Sequence, residues 1–199
     1  MAAGTPGPVV PDRYLEALGD ADPVAAMAEA PDLLRRLARG LTERQLAKKP
    51  APGKWSIREI VAHLADSEVV LGSRYRFIAA MDRPPLPGYD QDAFVANLGV
   101  ARAATADLLD DFAMARAVNL GLLERLGEGA WDRVGIHAER GEESLGRLVT
   151  MYAGHDRIHL AQVETIRTGL FPKAGRAPAR KGGAKKRPAK KGSAKAKRR

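Results

Sequence analysis

Between Asp22 and Gly169 the apolar residues recur at helical spacing, with no alternating strand pattern or internal repeat of useful length, so the body is predicted to be all-α. A first helix is expected from about Pro23 to Gly40, with Leu33, Leu34, Leu37 and Leu41 on its apolar side. The segment TERQLAKKPAPGK then gives a short turn of helix and a Pro/Gly-rich loop. The second helix has the best-marked start in the chain. Ser56 with Glu59 forms a capping box, Trp55 and Ile60 form a hydrophobic staple, and the helix should end near Met81 because DRPPLPGYDQD cannot continue it. A third helix is read from roughly Val100 to Leu126, stopping at Gly127. After it comes a loop of about 16 residues containing Trp131 and His137, long enough to be considered for function. The fourth helix starts near Ser144 and is expected to end at Thr168, with Gly169 at C′ and Pro172 beyond. Four amphipathic helices with mostly short links predict a four-helix bundle.

The chemistry enters through the last helix. Steps of three and four give a seam of Leu145, Leu148, Tyr152, His155, His159, Gln162 and Ile166, so two of the chain's four histidines lie on a buried stripe. At i and i+4 their imidazoles point the same way, the spacing at which two nitrogens reach one ion. On the second helix, Ile57, Ile60, Leu64, Ser67, Leu71 and Ile78 form the seam, and His63 stands on its shoulder. Each buried imidazole costs about 1–3 kcal/mol unless its polar atoms find partners. A shared cation would partner all three; hydrogen bonds to Asp66, Gln162 or water are the alternative. Asp66 and Gln162 each follow a histidine by three residues and either orient an imidazole or are ordinary polar residues. HDRIH resembles the H-E-x-x-H of zinc proteases, but Asp156 is one methylene short of Glu and the third histidine lies upstream, which excludes that reading. Bis-histidine haem needs two facing ligands and does not suit three converging ones.

Other residues carry weaker signals. His137 either lines a pocket mouth or, as expected of a loop histidine, faces solvent. Arg74, Tyr75 and Arg76 either bind an anionic substrate or form surface pairs, and Tyr89 and Asp90 either close over the site or make a turn.

Composition narrows the donors. The chain has 199 residues and no cysteine, so thiolate sites and disulfides are excluded and a metal must be held by nitrogen and oxygen. No apolar stretch reaches membrane-spanning length and no signal peptide is evident, so a soluble cytoplasmic protein is expected. The net charge of +9 is unevenly placed: residues 173–199 hold 13 of the 33 basic residues and no acid, leaving 20 basic against 24 acidic residues before them. The expected organisation is an N-terminal extension over 1–22, a helical domain over 23–172, and a basic tail over 173–199. The tail lacks large apolar residues and is expected to be disordered, either as a solubilising segment or as an arm for non-specific contact with nucleic-acid phosphates.

PGKWSIREIVAHLADSE, GYDQDAF and YAGHDRIHLAQVE together resemble the DinB/YfiT-like superfamily over about residues 24–168. The resemblance implies a four-helix bundle, often dimeric, in which His63, His155 and His159 hold a divalent metal. Members include S-transferases and isomerases that use bacillithiol or mycothiol, and metal-dependent hydrolases. The expectation is therefore an enzyme in which three imidazoles hold Zn²⁺ or Ni²⁺ with positions open, activating a low-molecular-weight thiol or water against a small molecule. The rival expectation is a non-catalytic helical dimerisation or sensing module that works through its basic tail on nucleic acid.

Overall fold

The structure, a computed structural model, describes residues 11–172. The first ten residues and the basic tail, with the disorder expected of it, lie outside the described residues. Among the described residues seven α-helices run in order as α1 (Asp12–Leu18), α2 (Pro23–Ala38), α3 (Glu43–Leu46), α4 (Ile57–Ala80), α5 (Gln91–Asn97), α6 (Thr105–Glu124) and α7 (Leu145–Leu170). The four long ones, α2, α4, α6 and α7, make the bundle: α4 lies against α6, α2 against α7, and α2–α6 and α4–α7 contacts close it. Among the described residues no helix is long and apolar enough to cross a membrane.

The helix starts follow the local chemistry. Ser56 accepts from the Glu59 amide while the Glu59 carboxylate accepts from the Ser56 amide at 2.7 Å, the reciprocal pair that caps α4. Ser144 caps α7 by accepting from the Arg147 amide. Two ends differ from expectation. The third helix begins at Thr105, preceded by a single 3-10 turn over Val100–Arg102. At the other end α7 runs through Gly169 to Leu170, with Phe171 as its C-cap, so Gly169 does not terminate it.

The chain is mostly helical as expected, with one addition among the described residues: three short strands form a small sheet in the order β1 (Pro85–Leu86), β2 (Val134–His137), β3 (Gly141–Ser144). β1 pairs parallel to β2 with Leu86 opposite His137, and β2 pairs antiparallel to β3 with His137 opposite Gly141. Gly141, at φ +75°, follows the tight turn that a side chain would strain. Strands of two to four residues are too short to display the alternation that reveals longer ones.

The core is divided in two. One apolar cluster gathers Met27, Leu71, Tyr75, Ile78, Leu86, Leu123, Leu145 and Leu148; the other gathers Leu34, Ile57, Ile60, Leu64, Phe112, Leu160, Val163 and Ile166. Between them lies a polar layer. Arg116 of α6 pairs with Glu68 of α4 at 2.8 Å and Asp156 of α7 at 2.7 Å, and also donates to the Met27 carbonyl of α2. Asn119 donates to the Glu68 carboxylate at 3.0 Å. Arg116, Glu68 and Asp156 are 2%, 1% and 3% exposed, so these charges are sustained by one another.

Residues 12–18, within the expected N-terminal extension, form α1, which packs on α7. The close approach is possible because position 154 is glycine: a Cβ there would stand 2.1 Å from the Tyr14 carbonyl oxygen. That atom is backbone, so it cannot swing away. Gly154→Ala is therefore expected to push α1 off α7, costing about 1–3 kcal/mol by overpacking despite alanine's better helix propensity. Thermal unfolding and proteolysis near Tyr14 would report it; an unchanged midpoint and cleavage pattern would contradict the packing described.

Candidate metal centre

His63 comes from the second turn of α4 and His155 and His159 from successive turns of α7, at the polar layer between the two apolar clusters. The Nε2 atoms converge: His63 to His155 is 3.1 Å and His155 to His159 is 3.2 Å. One donor nitrogen from each of the three lies within 4.8 Å of the others. Three nitrogens about 2.05 Å from a common ion are about 2.9 Å apart at right angles and about 3.4 Å apart in a tetrahedron. The two short edges of the cluster fall between these values.

Hydrogen bonding alone does not account for this arrangement. Gln162 Oε1 accepts from His159 Nδ1 at 2.9 Å, which places the ring's proton on Nδ1 and leaves Nε2 as a bare lone pair. His155 Nε2 then faces two nitrogens, and one proton or one lone pair cannot serve both well. Its Nδ1 is buried without a hydrogen-bond partner, the nearest carboxylate oxygen, Asp156 Oδ1, being 4.0 Å away. Burial, followed by repulsion from His155 and His159, lowers the pKa of His63 to about 2. Burial and His155 lower His159 to about 4, against the opposing Gln162 bond and Asp156 charge. Both rings are neutral at physiological pH and offer lone pairs. The donor set is one that a borderline divalent ion accepts.

Trp55 forms a wall of the site, with ring centroids 4.9 Å from His63 and 6.3 Å from His159. Read from the sequence, it was only half of the staple ahead of α4; its place one residue before the cap of the His63 helix was the available signal. On the other side lies a cavity of about 220 Å³. His63 and His155 reach it, together with Tyr14, Arg74, Tyr89, His137, Glu139 and Tyr152.

The remaining sequence candidates separate clearly. Gln162 meets a histidine as expected, whereas Asp66 lines a groove between α4 and α6 beside Asp111, where burial and that neighbouring charge raise its pKa. No hydrogen bond joins Asp66 to an imidazole. The carboxylate nearest the cluster is instead that of Asp156, held ionised by Arg116 against the cost of burial. His137, expected to face solvent, is 2% exposed: it closes β2 and sits against Arg74. Burial and then the charges of Arg140 and Arg74 lower its pKa. Tyr75 is fully buried and Arg76 bonds Gly72 and Asn119, so neither joins Arg74 at the cavity. Tyr89 bonds Ser67 at 2.8 Å on the cavity wall, and Asp90 caps α5 by accepting from Asp92 and Ala93.

A helical bundle with three imidazoles converging in a polar layer beside a small cavity defines a class of protein, and comparison with known chains gives the family. Residues 26–163 match the model of the DinB superfamily, and the chain belongs to it. It is 30% identical over 133 residues to a chain of Oceanobacillus iheyensis named "Putative metal-dependent hydrolase", covering 66% of this chain and 75% of that one. A Bacillus licheniformis chain of the same descriptive name is 30% identical over 148 residues, covering 72% and 82%. Among solved structures, YfiT from Bacillus subtilis, described as a probable metal-dependent hydrolase with an unusual four-helix bundle topology, superimposes with a TM-score of 0.70 at 21% identity. That match covers 74% of this chain and 85% of YfiT and supports the shared fold.

Proposed function

We propose that this chain is a metal-dependent enzyme acting on a small molecule, with His63, His155 and His159 as the protein ligands of one divalent ion, Zn²⁺ or Ni²⁺. The observation that carries the reading is the convergence of three Nε2 atoms without a hydrogen-bond pattern that satisfies them. An ion bound there supplies Lewis acidity, lowering the pKa of a water or low-molecular-weight thiol nucleophile and polarising an electrophile. The chain's own groups do the rest. Gln162 fixes the His159 tautomer, Trp55 excludes water from one side, and Tyr152, whose pKa is raised by burial, keeps a hydroxyl proton for donation. Glu139, the carboxylate lining the cavity, is placed to accept a proton released by the nucleophile.

Hydrolysis is the reading the relatives' names favour. Transfer of bacillithiol or mycothiol is its finer alternative, in which the sulfur must come from a cosubstrate because the chain has none in cysteine. A homodimer is included in the proposal, with exposed Val69, Met114 and Val118 offering apolar surface. Any nucleic-acid contact through residues 173–199 is additional to the site and separable from it.

Elemental analysis of the full chain, purified without an affinity tag, should find about one equivalent of zinc or nickel. A chelator should remove the ion together with hydrolysis of small esters and amides, or with conjugation where only added thiol supports turnover. Metal-free protein that binds neither ion in the micromolar range would refute the reading.

A further inference from the structure

Arg74 is a buried cation without a carboxylate partner. It is 2% exposed, yet none of the ion pairs among the described residues includes it. Its Nη2 donates to the Pro87 carbonyl at 2.6 Å and its Nη1 to the Tyr152 hydroxyl at 3.2 Å, while Nε has no partner. Of the acids nearby, Glu143 is engaged by Arg140 at 2.6 Å and Arg147 at 2.8 Å, and Glu139, which lines the same cavity, forms no ion pair with Arg74. A guanidinium out of water with its charge uncompensated is costly unless something else supplies the anion.

The neighbouring histidine sharpens this. His137 Nδ1 accepts from the backbone amides of Glu139 at 3.1 Å and Arg140 at 3.3 Å, so it carries no proton. The ring proton must then sit on Nε2, which faces Arg74 Nη2 at 3.3 Å, donor against donor. Two donors so placed call for a common acceptor. Tyr152 adds a third: its oxygen accepts from Arg74, which leaves its own proton to give. All three residues line the cavity, whose charged walls are otherwise Arg13, Arg140 and Glu139. Tyr152 connects this nest to the histidine cluster, its ring lying 5.3 Å from that of His155.

We infer that Arg74, His137 and Tyr152 form a docking point for a compact anion, a carboxylate or phosphate group carried by the small molecule on which the site acts. The inference rests on the functional reading above for its link to turnover, but the docking point exists whether or not the histidines bind metal. The cavity of about 220 Å³ limits the ligand to a few heavy atoms beyond the anionic group. Arg74 binds and orients; the reacting end lies toward His63 and His155.

The test uses metal-free full-length chain at fixed ionic strength, with acetate, inorganic phosphate and the neutral isostere acetamide as probes. Acetate, phosphate or both should raise the thermal midpoint by about 5 °C at roughly a hundredfold excess over the dissociation constant, and acetamide should not. Which anion is stronger distinguishes a carboxylate from a phosphate ligand. In the wild-type chain the His137 ring resonances should move saturably with the anion, a readout that needs no variant. Arg74→Met should abolish the shift and Arg74→Lys should leave a weakened one, because a single ammonium cannot reproduce the fork. His155→Ala should keep it in full, which separates anion docking from metal binding. Equal effects of acetate and acetamide, or an anion shift unchanged in Arg74→Met, would overturn the inference and assign the binding to the surface or the tail.

Discussion

His155→Ala is expected to leave the purified chain almost free of metal, with affinity reduced by more than about 100-fold. The reason is positional. His155 Nε2 is the nitrogen shared by both short contacts, 3.1 Å to His63 and 3.2 Å to His159, so its removal leaves two donors with nothing between them. Loss of a residue that merely orients a ligand costs about 10–100-fold in affinity, and a direct ligand should exceed that. Gln162→Ala supplies the graded comparison, since it removes only the hydrogen bond on His159 Nδ1 and should fall inside that lower range. Circular dichroism should show both variants folded. Elemental analysis gives the occupancies, and a full equivalent retained by His155→Ala would exclude the cluster as the ligand set.

The largest effect on stability is expected from Arg116→Met. Methionine fills much of the volume but leaves Glu68 and Asp156 buried with no cation, a situation that typically costs about 3–5 kcal/mol. For a domain of this size the thermal midpoint should fall by about 10 °C. Combining Arg116→Met with Glu68→Gln and Asp156→Asn removes the orphaned charges and should recover part of the loss, which separates electrostatics from packing. A single variant melting within about 2 °C of the parent would mean that the triad does not hold the bundle together. Because Asp156 adjoins His155, the single variant should also weaken metal retention.

How much of this was legible depends on how far apart in sequence the interacting groups lie. The α4 start could be read because Ser56 and Glu59 are three residues apart and their bonds are local. The histidine cluster was legible because helical periodicity put each ring on an inward face, and the family resemblance named the same three residues. The polar triad was not: Glu68, Arg116 and Asp156 come from three helices, and each alone reads as a solvated charge. For a similar reason the sequence favours solvent for His137 over the cavity wall it lines. Its burial follows from β2 pairing with both β1 and β3, contacts about 50 residues apart on one side and made within a hairpin too short to show a pattern on the other. Arg74 could be flagged as a candidate anion ligand, but only the three-dimensional placement distinguishes it from Arg76, two residues away, which bonds Gly72 and Asn119.

The polar layer through mid-bundle also sets the vertical alignment of the helices. Leucine can slide past leucine at little cost, but moving α6 or α7 by one turn, about 5.4 Å, would press a guanidinium or carboxylate into aliphatic side chains. Arg116 therefore works as a locking pin between α4 and α7, and the imidazoles on those two helices can coincide only in the one setting it permits.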